Sequence, residues 1–131
     1  MDLVVFLPPT NDPNRQARLI ELIGGHWRVG RVEYHPTLEA LADRLGSPRP
    51  DGFHLLLWPS NGAYLDRLVA MRDLMAGLPL ICVLPDALSE SLAKGHLLRP
   101  RLLLAPEEAE TIIADVLRNL QSRVKSPEYA R

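Results

Sequence analysis

Three apolar runs, each followed directly by a proline, constrain the fold of this chain more than any other feature of its sequence. The runs cover residues 3–7, 53–58 and 80–84. Apolar runs with little alternation are typical of strands that are covered on both faces, as in a parallel sheet. Because proline has no amide hydrogen to donate to a neighbouring strand, each run is expected to end there. The sequence therefore predicts a parallel sheet with a buried centre.

Two further strands and five helices are predicted around these runs. Residues 27–34 alternate between apolar and charged side chains, which indicates an edge strand with one face in water. Residues 101–105 form a fifth strand, closed by Pro106. Capping residues and glycines set the predicted helix ends. The predicted starts are Asp12, Thr37, Asn61 or Ser60, Asp86 and Glu107, and the predicted ends are Gly24-Gly25, Gly46, Gly77, Gly95 and Val124.

The repeated strand–helix units determine the order of the strands. The connection between two parallel strands is almost always right-handed, so five such units form a parallel sheet with helices on both faces. We therefore predict a single α/β domain over residues 1–125, with a flavodoxin-like (βα)5 fold and the strand order 2-1-3-4-5. Residues 126–131 are predicted to be a flexible C-terminal tail.

Charge and cysteine content narrow the class of protein. Of the 131 residues, 15 are basic and 16 are acidic, and this balance argues against a general binder of nucleic acid or of anionic membranes. The single cysteine, Cys82, lies inside an apolar run and is expected to be a core thiol. The first apolar run is too short for a signal peptide or a membrane span. We therefore expect a cytoplasmic protein with no membrane partner.

The layout of the chain resembles the receiver domain of bacterial two-component response regulators over nearly its whole length. Three segments carry the resemblance: Pro50-Asp51 before the central strand, Leu78-Pro79-Leu80-Ile81 at the start of the fourth, and Leu103-Leu104-Ala105-Pro106 at the end of the fifth. The fifth strand of a true receiver ends in Lys-Pro. Here the proline is kept and the lysine is replaced by Ala105.

The resemblance also implies where a receiver would carry its chemistry, and this chain has other residue types there. The phosphate-accepting aspartate at the end of the third strand would fall at Leu57 or Trp58. The hydroxyl residue at the end of the fourth strand would fall at Leu84 or Pro85. The resemblance therefore implies a degenerate phosphoacceptor pocket formed by Leu57, Trp58, Pro85 and Ala105.

The groups that would hold magnesium are also replaced. The acidic pair of the family would fall near Leu7 and Pro8, and its switch aromatic near Leu102. Phosphoryl transfer to a carboxylate needs a nucleophilic aspartate, a cation held by oxygen ligands and a positive charge against the phosphate. Asp12 is the nearest carboxylate, and its place before Pro13 favours a helix cap over a metal ligand. We therefore expect no enzyme activity, no cofactor and no metal.

Chains that keep this fold without its reactive groups resemble what are called pseudo-receivers. The function implied is a phosphorylation-independent module for protein–protein interaction in bacterial signalling or regulation. The partner is expected to be another protein or a second copy of the chain in a homodimer, with no direct contact to nucleic acid. The expected self-association face is either the side of the fourth and fifth helices or the first helix.

Two features are candidates for recognition. Lys94, His96, Arg99 and Arg101 form a basic cluster across the predicted fourth helix and fifth strand, and it is either an interaction face or a solvated rim. Trp58 is either a plug that fills the emptied pocket or an exposed anchor for a partner. We favour the plug, because apolar atoms must refill an emptied pocket to keep the packing density of a protein interior.

Two other classes of function remain open. A flavodoxin-like domain could bind a small ligand or act as an enzyme through the loops after the first and third strands, but residues 7–13 contain no glycine and three prolines. A DNA-associated regulator is the weaker alternative, because the charge is balanced and the sequence shows no helix-turn-helix or basic arm. The spacing of the histidines predicts surface or structural roles, not a metal site, for His26, His35, His54 and His96.

Overall fold

The computed structural model describes residues 1–47 and 52–125, with side chains up to Ser122. Strands and helices alternate along the chain as β1 (Asp2–Phe6), α1 (Pro13–His26), β2 (Val32–His35), α2 (Leu38–Leu45), β3 (Phe53–Leu57), α3 (Gly62–Ala70), β4 (Leu80–Val83), α4 (Ser89–Leu97), β5 (Leu102–Leu104) and α5 (Pro106–Lys125). A short 3-10 helix, Arg72–Met75, follows α3. The predicted tail at 126–131 and the Pro50-Asp51 segment lie outside the described residues.

The sheet has the predicted topology. Its strands lie in the order β2-β1-β3-β4-β5, and every neighbouring pair is parallel. The carboxyl ends of all the strands therefore meet at one edge of the sheet, which we call the carboxyl edge, and their starts meet at the opposite amino edge. The flavodoxin-like α/β arrangement is confirmed.

Two apolar layers join the helices to the sheet. Successive side chains of a strand point to opposite faces, and β3 divides accordingly: Leu56 and the following Trp58 pack with α1 and α5, while Leu55 and Leu57 pack with α2 and α3. All the residues of β3 and β4 are buried. The apolar runs are thus strands covered on both faces, as predicted, and the buried β3 includes His54.

Side-chain caps begin three of the helices where the sequence predicts them. The Asp12 carboxylate accepts hydrogen bonds from the backbone amides of Asn14 and Arg15 at 3.1 and 3.2 Å. Thr37 caps α2, and Asn61, not Ser60, caps α3. An oxygen at this position satisfies amides that have no partner inside the helix, which fixes the helix start.

Two predicted helix ends and one predicted helix start are wrong. Residues 24–25 lie inside α1, which continues to His26, and Gly95 lies inside α4. At Gly95 a β-carbon would lie 2.9 Å from side-chain carbons of both Leu84 and Leu103, so this glycine allows α4 to approach the sheet closely. Asp86 accepts from the Leu88 amide, one turn before α4 begins, and does not cap the helix.

The second strand is also shorter than predicted, because residues 27–31 form an irregular connection and pairing with β1 begins at Val32. The apolar side chain of Trp27 does not belong to a strand face. It is buried in the α1–α5 layer, and its indole donates to the Met1 carbonyl at 3.1 Å. Residues 27–31 therefore resemble an alternating strand in the sequence because Trp27 is buried by this separate contact and not by strand pairing.

Replacing Gly25 with alanine is expected to raise the free energy of unfolding by about 0.5–1 kcal/mol, because glycine inside a helix is less favourable than alanine. A β-carbon at Gly25 meets no atom within 4 Å. Urea denaturation followed by circular dichroism measures the change. Gly77→Ala is the matched control: its φ is +82°, so alanine there destabilises the fold. A loss of stability in Gly25→Ala would show that Gly25 terminates the helix after all.

No helix among the described residues has both the length and the apolar character needed to cross a membrane.

Candidate functional site

The carboxyl edge is the place where an open α/β sheet of this type usually binds its ligands, and here apolar residues occupy it. Leu7 follows β1, Trp58 follows β3, and Leu84 follows β4, and all of them are buried. Pro85 and Pro106 complete the rim after β4 and β5. The edge therefore presents hydrocarbon at the level where a reactive carboxylate would stand.

The side chain of Trp58 fills the core at the carboxyl edge. Its side chain is 5% exposed and packs in the layer formed with α1 and α5. Its backbone amide donates to the Phe6 carbonyl at 3.0 Å, which extends the pairing of β1 with β3 by one residue. The indole is therefore part of the core and is not an exposed anchor.

The space left at this edge is small. A cavity of about 40 Å³ remains between Trp58, the loop after β1 and the prolines that follow β4 and β5. Pockets for cofactors and other small ligands measure about 300–1,000 Å³. The volume has room for water-sized groups only.

The four predicted pocket residues have different positions. Trp58 and Pro85 line the cavity. Leu57 points to the opposite face of the sheet, where it is fully buried against α2 and α3. Ala105 is half-buried at the end of β5, and its amide donates to the Glu108 carboxylate at 3.3 Å. Of the two candidates for the phosphoacceptor position, only Trp58 therefore lies beside the cavity.

A cluster of charges beside the cavity is internally paired. Glu110 on α5 accepts hydrogen bonds from Arg15 and Arg18 on α1 at 3.1 and 3.2 Å. Burial raises the pKa of the Glu110 carboxyl, but the hydrogen bonds from the two arginines outweigh this effect and hold the pKa below its ordinary value. The pairs join α1 to α5.

Residues that could hold a metal are dispersed. The Asp12 carboxylate caps α1, as described above, and the described residues contain no group of three or more histidine, cysteine, aspartate or glutamate side chains placed around a common point. His26 bonds the Leu22 carbonyl and His35 contacts Glu33. Burial raises the pKa of the Cys82 thiol to about 12, so this core thiol stays protonated at neutral pH.

The predicted basic cluster does not form one patch. The Lys94 ammonium pairs with Asp66 on α3 at 2.6 Å and with Glu90, one turn earlier on α4, at 2.9 Å. His96 is exposed on α4. Arg99 and Arg101 line two different clefts near the start of β5, one beside the 3-10 helix and one beside α5. The lysine charge is therefore neutralised locally, and the two arginines face separate surroundings.

Exposed leucines, which the sequence-based prediction missed, lie close in the chain to that cluster. Leu88, Leu92 and Leu97 are 61%, 46% and 54% exposed, and Leu102 on the edge strand β5 is 37% exposed. We call them the α4–β5 leucines. Leu88 and Leu92 are four residues apart and share one side of the helix start. This spacing is visible in the sequence, but it is equally typical of a buried helix face.

The comparisons with known proteins give no relative: no family model, no curated protein and no solved structure matches this chain.

Proposed function

We propose that this chain is a phosphorylation-independent protein-interaction module, of the pseudo-receiver type, acting in bacterial signalling or regulation in the cytoplasm. It carries out no reaction of its own. Its partner is another protein or a second copy of the chain in a homodimer.

The observation that carries the proposal is the filled carboxyl edge. Leu7, Trp58 and Leu84 occupy the strand ends with buried hydrocarbon, and the remaining cavity is about 40 Å³. A phosphoacceptor site needs a carboxylate open to solvent and a bound divalent cation. The small volume also supports interaction over the alternative of a flavodoxin-like ligand-binding domain, because a flavin or nucleotide has no space there.

Leu88 and Leu92, the two α4–β5 leucines that share one side of the helix start, support protein binding on another part of the surface. Large apolar side chains that are exposed together mark interaction sites more often than scattered single ones do. Leu88 is the most exposed large apolar residue of the described chain. Leu88 directly precedes α4 and Leu92 lies one turn into it, so the two side chains share one side of the helix start. Leu97 lies half a turn away, in the cleft beside the 3-10 helix.

Incubation with acetyl phosphate and Mg²⁺ is expected to leave the intact mass of the protein unchanged, because Leu57 and Trp58 stand at the end of the third strand where a receiver has its phosphate-accepting aspartate. Mass spectrometry after a time course measures this, with an active receiver domain as the positive control. A gain of one phosphoryl group that maps to an aspartate would overturn the proposal. A thermal-shift screen with flavins and nucleotides tests the ligand-binding alternative, since a ligand that binds only the folded state raises the melting temperature.

Replacing Leu88 and Leu92 with glutamate is expected to weaken self-association at least about 100-fold. An unpaired charge in an apolar interface costs several kcal/mol, and about 1.4 kcal/mol corresponds to a tenfold change in affinity. Sedimentation velocity over a range of concentrations measures the dissociation constant. Ile20→Glu is the matched control, since Ile20 is 40% exposed on α1. If Ile20→Glu dissociates the dimer and the double variant does not, the first helix is the interface.

A further inference from the structure

His54 on β3 is a buried ionisable group that the proposed function does not use. Its side chain is 7% exposed. Strand alternation places it on the same side as Leu56, in the layer covered by α1 and α5. The ring of Trp27 covers it edge-on, with ring centroids 5.7 Å apart. The indole is therefore an aromatic neighbour that packs directly against the imidazole.

The imidazole does not make all of its possible hydrogen bonds in this position. Its Nδ1 atom is buried and has no hydrogen-bond partner among the described residues. Buried polar atoms without a partner are uncommon in folded proteins and require an explanation. Packing therefore holds the ring in place, and the Nδ1 atom contributes no hydrogen bond while the Trp27 indole packs against the ring.

The charged groups that act on the ring are both positive. They are the Arg101 guanidinium, from the segment before β5, and the terminal ammonium before β1. The connection after α1 presents the neutral Trp27, and α5 contributes the uncharged Leu117 and Leu120 to this layer. Burial lowers the pKa of His54, and the two positive groups lower it further.

The segment over His54 is held at two places. Residues 29–31 are bonded to the start of β1: the terminal ammonium donates to the Val29 carbonyl at 3.0 Å, the Arg31 amide donates to the Asp2 carboxylate at 3.0 Å, and the Leu3 amide donates to the Arg31 carbonyl at 2.9 Å. Residues 27–31 have no regular secondary structure. The Trp27 indole donates to the Met1 carbonyl, and the Gln121 amide of α5 accepts from the Arg28 amide and donates to the His26 carbonyl. The bonds to α5 are therefore confined to His26 and Arg28, and the pairing of β1 with β3 does not depend on them.

We infer that His54 and Trp27 form an acid-sensitive latch: protonation of the buried ring displaces the indole and releases Trp27 and Arg28 from α5. This device is independent of the proposed interaction function. In the closed state the ring is neutral, and in the open state it reaches water and binds a proton at its ordinary pKa near 6.5. Because the pKa of His54 is lower in the closed state, the closed state has its full stability relative to the open state at pH values above about 6.5. This stability is lost as the pH falls from about 6.5 toward the pKa of the closed state.

Hydrogen exchange measured by NMR on the full chain tests the latch. After correction for the intrinsic exchange rate, exchange of the Trp27 indole proton is expected to rise about tenfold for each pH unit below about 6.5, until the pH reaches the lower pKa of the closed state. The Arg28 amide, which Gln121 holds, is expected to follow the same curve. His54→Phe keeps a ring of similar size without an ionisable group, and it is expected to abolish this dependence.

His96→Gln, at an exposed histidine, is the matched control and is expected to keep the full pH dependence. The latch is overturned if indole exchange stays constant down to about pH 4.5, or if its pH dependence persists in His54→Phe. The ring C–H signals of His54 in the unmodified protein give a second measurement that does not depend on a variant. They are expected to titrate below the ordinary range and together with indole exchange; titration near about 6.5 with the indole still protected also overturns the latch.

Discussion

Replacing Trp58 with alanine is expected to lower the free energy of unfolding by about 3–5 kcal/mol, the largest effect of any single truncation we predict. The indole is 5% exposed and packs between the sheet and the helices α1 and α5. Its removal leaves a cavity at the carboxyl edge, and the surrounding atoms lose both burial and contacts. A loss of this size is a large part of the total stability of a typical domain, which is about 5–15 kcal/mol.

Urea denaturation measured by circular dichroism, which does not depend on the removed tryptophan, gives the change. Trp58→Phe keeps most of the apolar volume and is expected to lose less than half as much stability. Leu74→Ala is the surface control, because Leu74 is 44% exposed and surface substitutions usually change stability by less than about 0.5 kcal/mol. A loss below about 1 kcal/mol in Trp58→Ala would mean that the indole does not fill the core.

Replacing Gln121 with leucine is expected to cost about 2–3 kcal/mol, the second largest effect. The Gln121 side chain lies in α5 and is buried. Its amide nitrogen donates to the His26 and Leu117 carbonyls, and its oxygen accepts from the Arg28 amide. Leucine has a similar volume but leaves the backbone groups of the connection after α1 without this partner, at about 1–3 kcal/mol for each group that stays buried.

Gln121→Glu separates the hydrogen bonds from the packing. The carboxylate keeps an acceptor for the Arg28 amide but places a second oxygen against the His26 and Leu117 carbonyls. Its loss of stability, measured against the unmodified protein at the same pH, is therefore expected to shrink as the pH falls and the acid gains a donor hydrogen. Asn119→Ala, at an exposed position of α5, is expected to leave stability nearly unchanged. Equal behaviour of Gln121→Leu and Asn119→Ala would contradict the role of the amide.

The sheet could be predicted from the sequence because its determinants are local. Unbroken apolar runs identify the buried strands, and the handedness of the crossovers leaves few possible orders. The helix starts at Asp12, Thr37 and Asn61 were equally accessible, since each depends on a side chain that bonds amides within three residues.

The errors arise where distant contacts override local preference. Glycine disfavours a helix by only about 1 kcal/mol, so packing of α1 on the sheet can continue the helix through residues 24–25. Gly95 looks like a helix end, but it lies inside α4, where a β-carbon would crowd the side chains of Leu84, which follows β4, and of Leu103 on β5. Trp27 looks like a strand residue because its contact with Met1 is invisible in the local pattern.

The candidate site was partly accessible. The apolar identity of Trp58 and Pro85 could be read directly, and strand alternation separates Leu57 from Trp58. The neutralisation of Lys94 by Asp66 could not be predicted, because it joins α4 to α3 across 28 residues of sequence. The exposure of the α4–β5 leucines could not be predicted either, because it depends on which other elements pack against α4.

The pairing of α1 with α5 has a consequence for the synthesis of the protein on the ribosome. Glu110 bonds arginines that lie 92 and 95 residues earlier in the chain, and Ile113 and Leu117 cover the same layer as Trp58. The α1 side of the sheet therefore stays open until the last helix has left the exit tunnel. A growing chain that stalls before α5 exposes this apolar face, and it becomes a substrate for chaperones or for aggregation with other unfinished chains.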